Sequence, residues 1–371
     1  MPDACLEVER GPSMATQTML AAVFYGGRDI RVEERPIPEP LRDELLVRVR
    51  SAGICGSDLL SYNGIRPWQR SKGVGIEDGH ELAGEITAIG DHVRGFVPGD
   101  RVAIQPEHLI ACGSCHECEM GCPHLCRHLG MLHGSPHNSH WFSQYDTVLA
   151  SHVRQISQSL SFDAAAITDC YAVAVHAVHR VGGVRDQMVA IIGCGTIGLC
   201  VGQTARALGA AHVVMIGNRA NALGIALSSQ AANDVIFVPT DDPATILSRL
   251  TGGVGPTVVF EAVGRSGSTL EEALELVAPA GQVCIVGAFT SPPMVPPQVA
   301  YEKEASLLWS NSYGLYRGNS EFEQTLELMS GGRVHPEDLI TDRFPLGQIA
   351  EAFTTANDKA ASQAIKVVVN P

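Results

Sequence analysis

The sequence has no block of lysines and arginines, no stretch of about 18 apolar residues, and few aromatic side chains. Basic residues number 26 against 40 acidic ones, a formal net charge of −14. That balance gives nucleic acid and anionic membrane surfaces no electrostatic footprint, so a small-molecule partner is expected. The opening residues, MPDACLEVERGPSMATQTML, lack a basic segment followed by an apolar core of roughly 7–15 residues, the mark of a secretory leader. A cytoplasmic chain with a tail over residues 1–18 is the resulting expectation. Internal repeats and low-complexity segments are also missing.

What is present fits a folded α/β enzyme: 45% hydrophobic residues, 38 glycines and 21 prolines in 371 residues. That length exceeds the roughly 250–300 residues at which a single core stops growing, so two domains are expected. Of the 11 cysteines, five fall between positions 112 and 126. Without a secretory leader, a metal explains that crowding better than disulfides do.

From Met19, short alternating runs broken by Gly-Gly and Pro-x-Pro-x-Pro predict a β-rich region, with antiparallel strands over 85–89 and 101–104. Near residue 165 the pattern changes. AAAITDCYAVAVHAVHRV predicts a buried helix, and from Gln187 strand-like runs (VAIIG, HVVMIG, VIFV, PTVVFEAVG, QVCIVGAF) alternate with helical ones. Such alternation predicts βαβ units on a parallel sheet. After Gly314 one amphipathic helix, SEFEQTLELMSGG, and a last strand, IKVVVN, are expected.

Two motifs carry chemistry by spacing alone. Cys112, Cys115, Cys118 and Cys126 form C-x2-C-x2-C-x7-C, which lets four thiolates converge on one tetrahedral zinc with no open position, a structural site. Cys122 competes for the fourth place, and His116 or His124 could substitute. Gly193-x-Gly195-x-x-Gly198, with Thr196 and Ile197 between, follows a strand and opens a helix, the fingerprint of a dinucleotide's pyrophosphate. Gly287, after QVCIV, is grouped with it among the expected cofactor contacts. An NAD site would carry an acid about 20 residues on, yet none occurs between Leu199 and Asn233. Gly217, Asn218 and Arg219 stand there instead; a small residue leaves room for a 2′-phosphate that Arg219 could pair with, which favours NADP(H) over NAD(H). The alternative is that Arg219 is a solvated surface charge and that either cofactor is used.

Cys55 and His80 supply two ligands for a second zinc, which needs three protein ligands to be catalytic. With G-x-C-G-S-D at 53–58, G-H-E at 79–81, the cysteine lobe at 112–126 and the glycine fingerprint at 193–198, the chain resembles the zinc-dependent medium-chain dehydrogenases, the alcohol, sorbitol and threonine dehydrogenases among them. The resemblance implies a GroES-like β-rich catalytic domain over 19–170 with a zinc lobe at 108–130, a Rossmann domain over 171–313, and a return to the catalytic domain over 314–371. It implies two zincs per chain and a homodimer or homotetramer. Cys55 becomes the first catalytic ligand, His80 the second, Glu81 a carboxylate able to exchange onto the metal, and Asp169 the third ligand ahead of its neighbour Cys170. Ser57 corresponds to the hydroxyl that bonds the substrate oxygen. The histidine that finishes the proton relay in several relatives corresponds to Leu60, which cannot carry a proton. Asp58 is expected to be a structural hydrogen-bonder. Tyr62, Trp68, Trp141 and Phe142 are candidate pocket walls, with a place in the core as the alternative.

Overall fold

The computed structural model describes residues 17–65, 79–106, 109–129, 142–265 and 267–371; Trp68 and Trp141 lie outside them. In chain order the first half contains strands β1 (Thr18–Gly26), β2 (Asp29–Pro36) and β3 (Glu44–Gly53), helix α1 (Gly56–Tyr62), β4 (Glu81–Ile89), β5 (Arg101–Ile104), α2 (His116–Glu119), β6 (Tyr145–Leu149), β7 (Val153–Gln155) and α3 (Phe162–Ala166). The long helix α4 (Thr168–Arg180) leads to β8 (Met188–Ile192), α5 (Thr196–Ala207), β9 (His212–Gly217), α6 (Ala220–Ser228), β10 (Asp234–Phe237), α7 (Pro243–Leu250), β11 (Val258–Glu261), α8 (Thr269–Leu276), β12 (Gln282–Ile285), α9 (Pro297–Lys303) and β13 (Ser306–Trp309). The remainder holds β14 (Leu315–Tyr316), β15 (Asn319–Ser320), α10 (Glu321–Ser330), β16 (Ile340–Pro345), α11 (Ile349–Asn357), α12 (Lys359–Ser362) and β17 (Lys366–Asn370).

Two sheets organise the molecule. The six-stranded one runs β10-β9-β8-β11-β12-β13, parallel throughout, an order that reverses direction between β8 and β11. Its strands are apolar on both faces, MVAII in β8 and VVF in β11, as a sheet covered by helices on each side requires. In such sheets ligands bind beyond the carboxyl ends of the strands at the reversal. The seven-stranded sheet runs β16-β17-β3-β4-β5-β7 with β6 also on β3, and all its pairs are antiparallel except β16 with β17. GroES-like and Rossmann layers are therefore both present.

Several sequence expectations shift. The helix expected through residues 164–181 breaks at Ile167 into α3 and α4; residues 170 and 171, where the two expected domains meet, both lie in α4. β4 begins at Glu81, four residues before the expected strand. The end of the chain holds β16, α11 and α12 besides the expected α10 and β17. Tyr62 and Phe142, candidate pocket walls, are core residues: both rings pack on Phe353, at centroid distances of 5.4 and 5.5 Å.

Candidate metal centre and cofactor cleft

Cys55 ends the approach from β3 and caps α1, whose first turn returns Asp58 toward it. The Cys55 amide donates to Asp58 Oδ2 at 2.7 Å, and the other carboxylate oxygen stands 3.5 Å from His80 Nδ1. One buried carboxylate thus holds the Cys55 backbone and the His80 ring, the supporting role that metal ligands commonly need. Asp58 is the hydrogen-bonder the sequence suggested. Burial opposes charge on His80, but Cys55 and Asp58 outweigh it and hold the imidazole well above its usual range. Ser57 Oγ lies 3.4 Å from His80 Nε2.

Glu81 opens β4 beside His80, and the donor atoms of Cys55, His80 and Glu81 all fall within 4.8 Å of one another. A thiol, an imidazole and a carboxylate form a donor set suited to zinc. Glu81 is already engaged: Oε1 accepts from the Cys170 thiol at 3.1 Å, and Oε2 pairs with the ammonium of Lys366. Lys366 also donates to Ile54 O at 3.0 Å. Gly53 is small for this reason, since a Cβ there would stand 2.0 Å from Glu81 Oε2.

Asp169 and Cys170 occupy the first turn of α4 and face different neighbours. Cys170 turns to Glu81 and Lys366, whereas Asp169 Oδ1 accepts from the Tyr313 hydroxyl at 2.8 Å. Asp169 stands outside the group of three, although His80 and Glu81 are near enough to act on its charge. Burial raises its carboxyl to about 6, and His80 eases that rise.

In the cysteine lobe the four sulfurs of Cys112, Cys115, Cys118 and Cys126 come together. Neighbouring Sγ–Sγ distances are 3.5, 3.6, 3.6 and 4.0 Å. Four sulfurs each ~2.3 Å from a common centre would be ~3.8 Å apart, so the cage matches tetrahedral zinc without rearrangement. Cys122 points away, its Sγ 4.0 Å from Met120 O. His124, also weighed for the cage, instead buries its ring edge-on against His176 at 4.7 Å, and burial lowers it to about 4. His116 is exposed on α2. The lobe is closed outside by Arg127, whose guanidinium donates to both oxygens of Glu117 at 2.9 and 2.7 Å.

The glycine fingerprint lies at the sheet's reversal point. Gly193 has φ of +110°, and a Cβ on Gly198 would meet Gly193 O at 1.9 Å, which makes both positions dependent on glycine. Among the described residues nothing stands within 4 Å of where a Gly195 Cβ would be. The cleft above it has a volume of about 570 Å³ and runs from Gly193 and Gly195 past Asn218 and Arg219 to Arg265 and Lys359. The shape suits an elongated dinucleotide, and the start of α5 offers free backbone donors of the kind phosphates bind.

Three readings of the cleft change. Gly217 is small because a Cβ would lie 2.4 Å from Cys194 Sγ, a packing reason independent of any phosphate. The Arg219 guanidinium is no solvated charge either: it donates to Ala364 O at 3.3 Å and Cys194 O at 3.2 Å. Gly287 packs under Gly264, where a Cβ would meet Gly264 N at 2.3 Å, and it does not line the cleft. Thr196 Oγ1 donates to Ile365 O at 2.8 Å, and with Ile197 it lines a smaller cavity shared with Cys55, Glu81 and Lys366. The fingerprint and the metal group thus meet across one gap.

Lys366, Tyr313 and Lys359 went unnoticed in the sequence. A usable signal existed only for Lys366, a lysine inside the apolar run AIKVVV, where charge is rarely buried unpaired.

The model of the alcohol dehydrogenase GroES-like domain matches residues 41–158, and that of the zinc-binding dehydrogenases matches residues 196–331. Sorbitol dehydrogenase of Bacillus subtilis is 31% identical over 355 residues, covering 96% of this chain and 98% of its own. A putative zinc-binding dehydrogenase from Sinorhizobium meliloti, solved bound to NADP, superposes with a TM-score of 0.83 at 27% identity, over 96% of this chain and 100% of that one. An alcohol dehydrogenase from Escherichia coli, solved with NADH, gives 0.82 at 26%, over 95% and 99%. The chain belongs to the zinc-dependent medium-chain dehydrogenase/reductase superfamily, whose members are oxidoreductases using zinc and a nicotinamide cofactor.

Proposed function

We propose that the protein passes a hydride between NADP(H) and a secondary alcohol, polyol or sugar-like hydroxyl, or the matching ketone. The observation that carries this is that Cys55 and Glu81, which share a donor group with His80, meet Thr196 and Ile197 of the fingerprint helix around one cavity. Cys55, His80 and Asp169 would hold a catalytic zinc, with Glu81 able to approach it. Cys112, Cys115, Cys118 and Cys126 would hold a structural one. When bound, the catalytic zinc supplies a Lewis acid that makes an alcohol proton easier to lose, and the dinucleotide supplies the hydride chemistry.

The chain's own groups do the rest. Asp58 fixes Cys55 and His80, and Tyr313 holds Asp169 Oδ1, leaving Oδ2 for the metal. Ser57 is the group we assign to bond the substrate oxygen and take its proton toward solvent; Leu60 offers no further relay. We also propose a homodimer or homotetramer in the cytoplasm. An exposed edge strand, β13 with Trp309 56% exposed, fits a further copy.

A second reading, an NAD(H)-dependent polyol dehydrogenase, draws on the packing reason for Gly217 and on Arg219's carbonyl partners. A dehydrogenase screen at the nicotinamide absorbance, with NADP⁺ and NAD⁺ side by side over alcohols, polyols, sugars and amino alcohols, separates the two. Absence of zinc-dependent oxidation throughout would refute both. An Asp169→Ala variant that kept full activity and both metals would remove Asp169 from the ligand set.

A further inference from the structure

We propose that Lys359 clamps the pyrophosphate of the dinucleotide from the catalytic-domain side of the cleft. The inference rests on the nicotinamide-cofactor reading and adds a binding residue that neither the fingerprint nor the metal motifs contain. Two cavities meet here. One runs along the fingerprint to Asn218 and Arg219, and the other joins Thr196 and Ile197 to Cys55 and Glu81. Among the described residues lining them, Lys359 alone is common to both.

A dinucleotide with its adenosine toward Arg219 and its nicotinamide toward the metal group must cross between these cavities. The linking part is the pyrophosphate, the most strongly charged segment shared by both nicotinamide cofactors. Its crossing point is where Lys359 stands, opposite the opening turn of α5. The turn supplies backbone donors on one side, and an ammonium completes the cradle on the other.

The surroundings fit an awaited anion. Among the described residues Lys359 has no hydrogen bond or ion pair, and its neighbour Asp358 spends its carboxylate on the Ala361 amide at 3.3 Å. Arg219 and Arg265 share the cleft. Burial first, then Arg219, Lys366 and Arg265, push the ammonium down to about 8, a disfavour that a bound phosphate would reverse. In a chain of net charge −14, three cations converging on one cleft are a local reversal that suits phosphate.

The test is calorimetric binding of ADP-ribose, NADH and NADPH to the full-length protein and to Lys359→Ala and Lys359→Arg. We expect Lys359→Ala to weaken all three by the same factor, about tenfold, as loss of one charged hydrogen bond predicts. Lys359→Arg should stay within about threefold of the parent, and both variants should retain their zinc and melting temperature. Unchanged ADP-ribose affinity in a folded Lys359→Ala would overturn the inference, as would a loss confined to NADPH, which would assign Lys359 to the 2′-phosphate. A parent protein binding none of the three ligands would sink the cofactor reading itself, before any variant is compared.

Discussion

The ammonium of Lys366 closes on the carboxylate of Glu81 where both side chains are shut away from water. Removing one partner of such a pair strands the other charge, at a cost of about 3–5 kcal/mol. Lys366→Ala should lower stability by that order in urea unfolding. A Lys366→Met/Glu81→Gln double variant should recover a large part of it, because no uncompensated charge remains. Equal loss in single and double variants would argue against the pair as the source.

The cage of four sulfurs separates its members from the bystander. Cys126→Ser should lower bound zinc by one ion per chain and destabilise the lobe, while Cys122→Ser should change neither. Metal analysis on dialysed protein reads the difference directly.

Glu321 gives the acid limb of stability a specific origin. It opens α10 and bonds His176 Nδ1 and His179 Nδ1, both at 2.8 Å, and accepts from the Gly314 amide at 2.8 Å. Burial alone would raise its carboxyl, but the two imidazoles outweigh burial and hold it at about 2 against an ordinary 4.5. A lowered folded value means stability that is fully present above about 4.5 and is lost as pH falls toward 2, on the order of 3 kcal/mol in all. Glu321→Gln should be less stable at neutral pH and should lack that slope in urea titrations between pH 5 and 3. A parallel slope in the variant would reassign the effect.

Substitution of Arg219 tests the choice between the two cofactor readings. If its guanidinium exchanges a carbonyl partner for a 2′-phosphate, Arg219→Ala should lose NADPH affinity roughly tenfold and NADH affinity far less. Equal losses in fluorescence titration would favour the NAD(H) reading, with Arg219 serving the loop at Cys194 alone.

The alternation of strands and helices from Gln187 onward was legible because parallel strands buried on both faces stand out as short apolar runs. The cysteine cage and the fingerprint were legible because spacing and glycine geometry are local properties. What sequence hid was reach across the chain. Glu81 meets Lys366, and Asp169 meets Tyr313, over separations that no local pattern encodes. The helix α11 was missed for a different reason: IAEAFTTAN is only nine residues long, and its apolar face is recognisable only against β17 and β2. Gly217 shows a third kind of limit. Its smallness was visible and its cause was not, since the neighbour that requires it, Cys194, lies 23 positions earlier.

Residues 363–366 touch both halves of the machinery in succession: Gln363 O takes Asn221, Ala364 O takes Arg219, Ile365 O takes Thr196, and Lys366 takes Glu81. On the ribosome this fixes a schedule. The nucleotide-binding sheet can fold while translation continues, but the loop at Arg219 and the acid beside His80 stay without these partners until residue 366 has emerged. A stalled or shortened product would therefore carry a parallel sheet while Arg219, Thr196 and Glu81 lack these partners, a species that quality control would meet as folded yet incomplete.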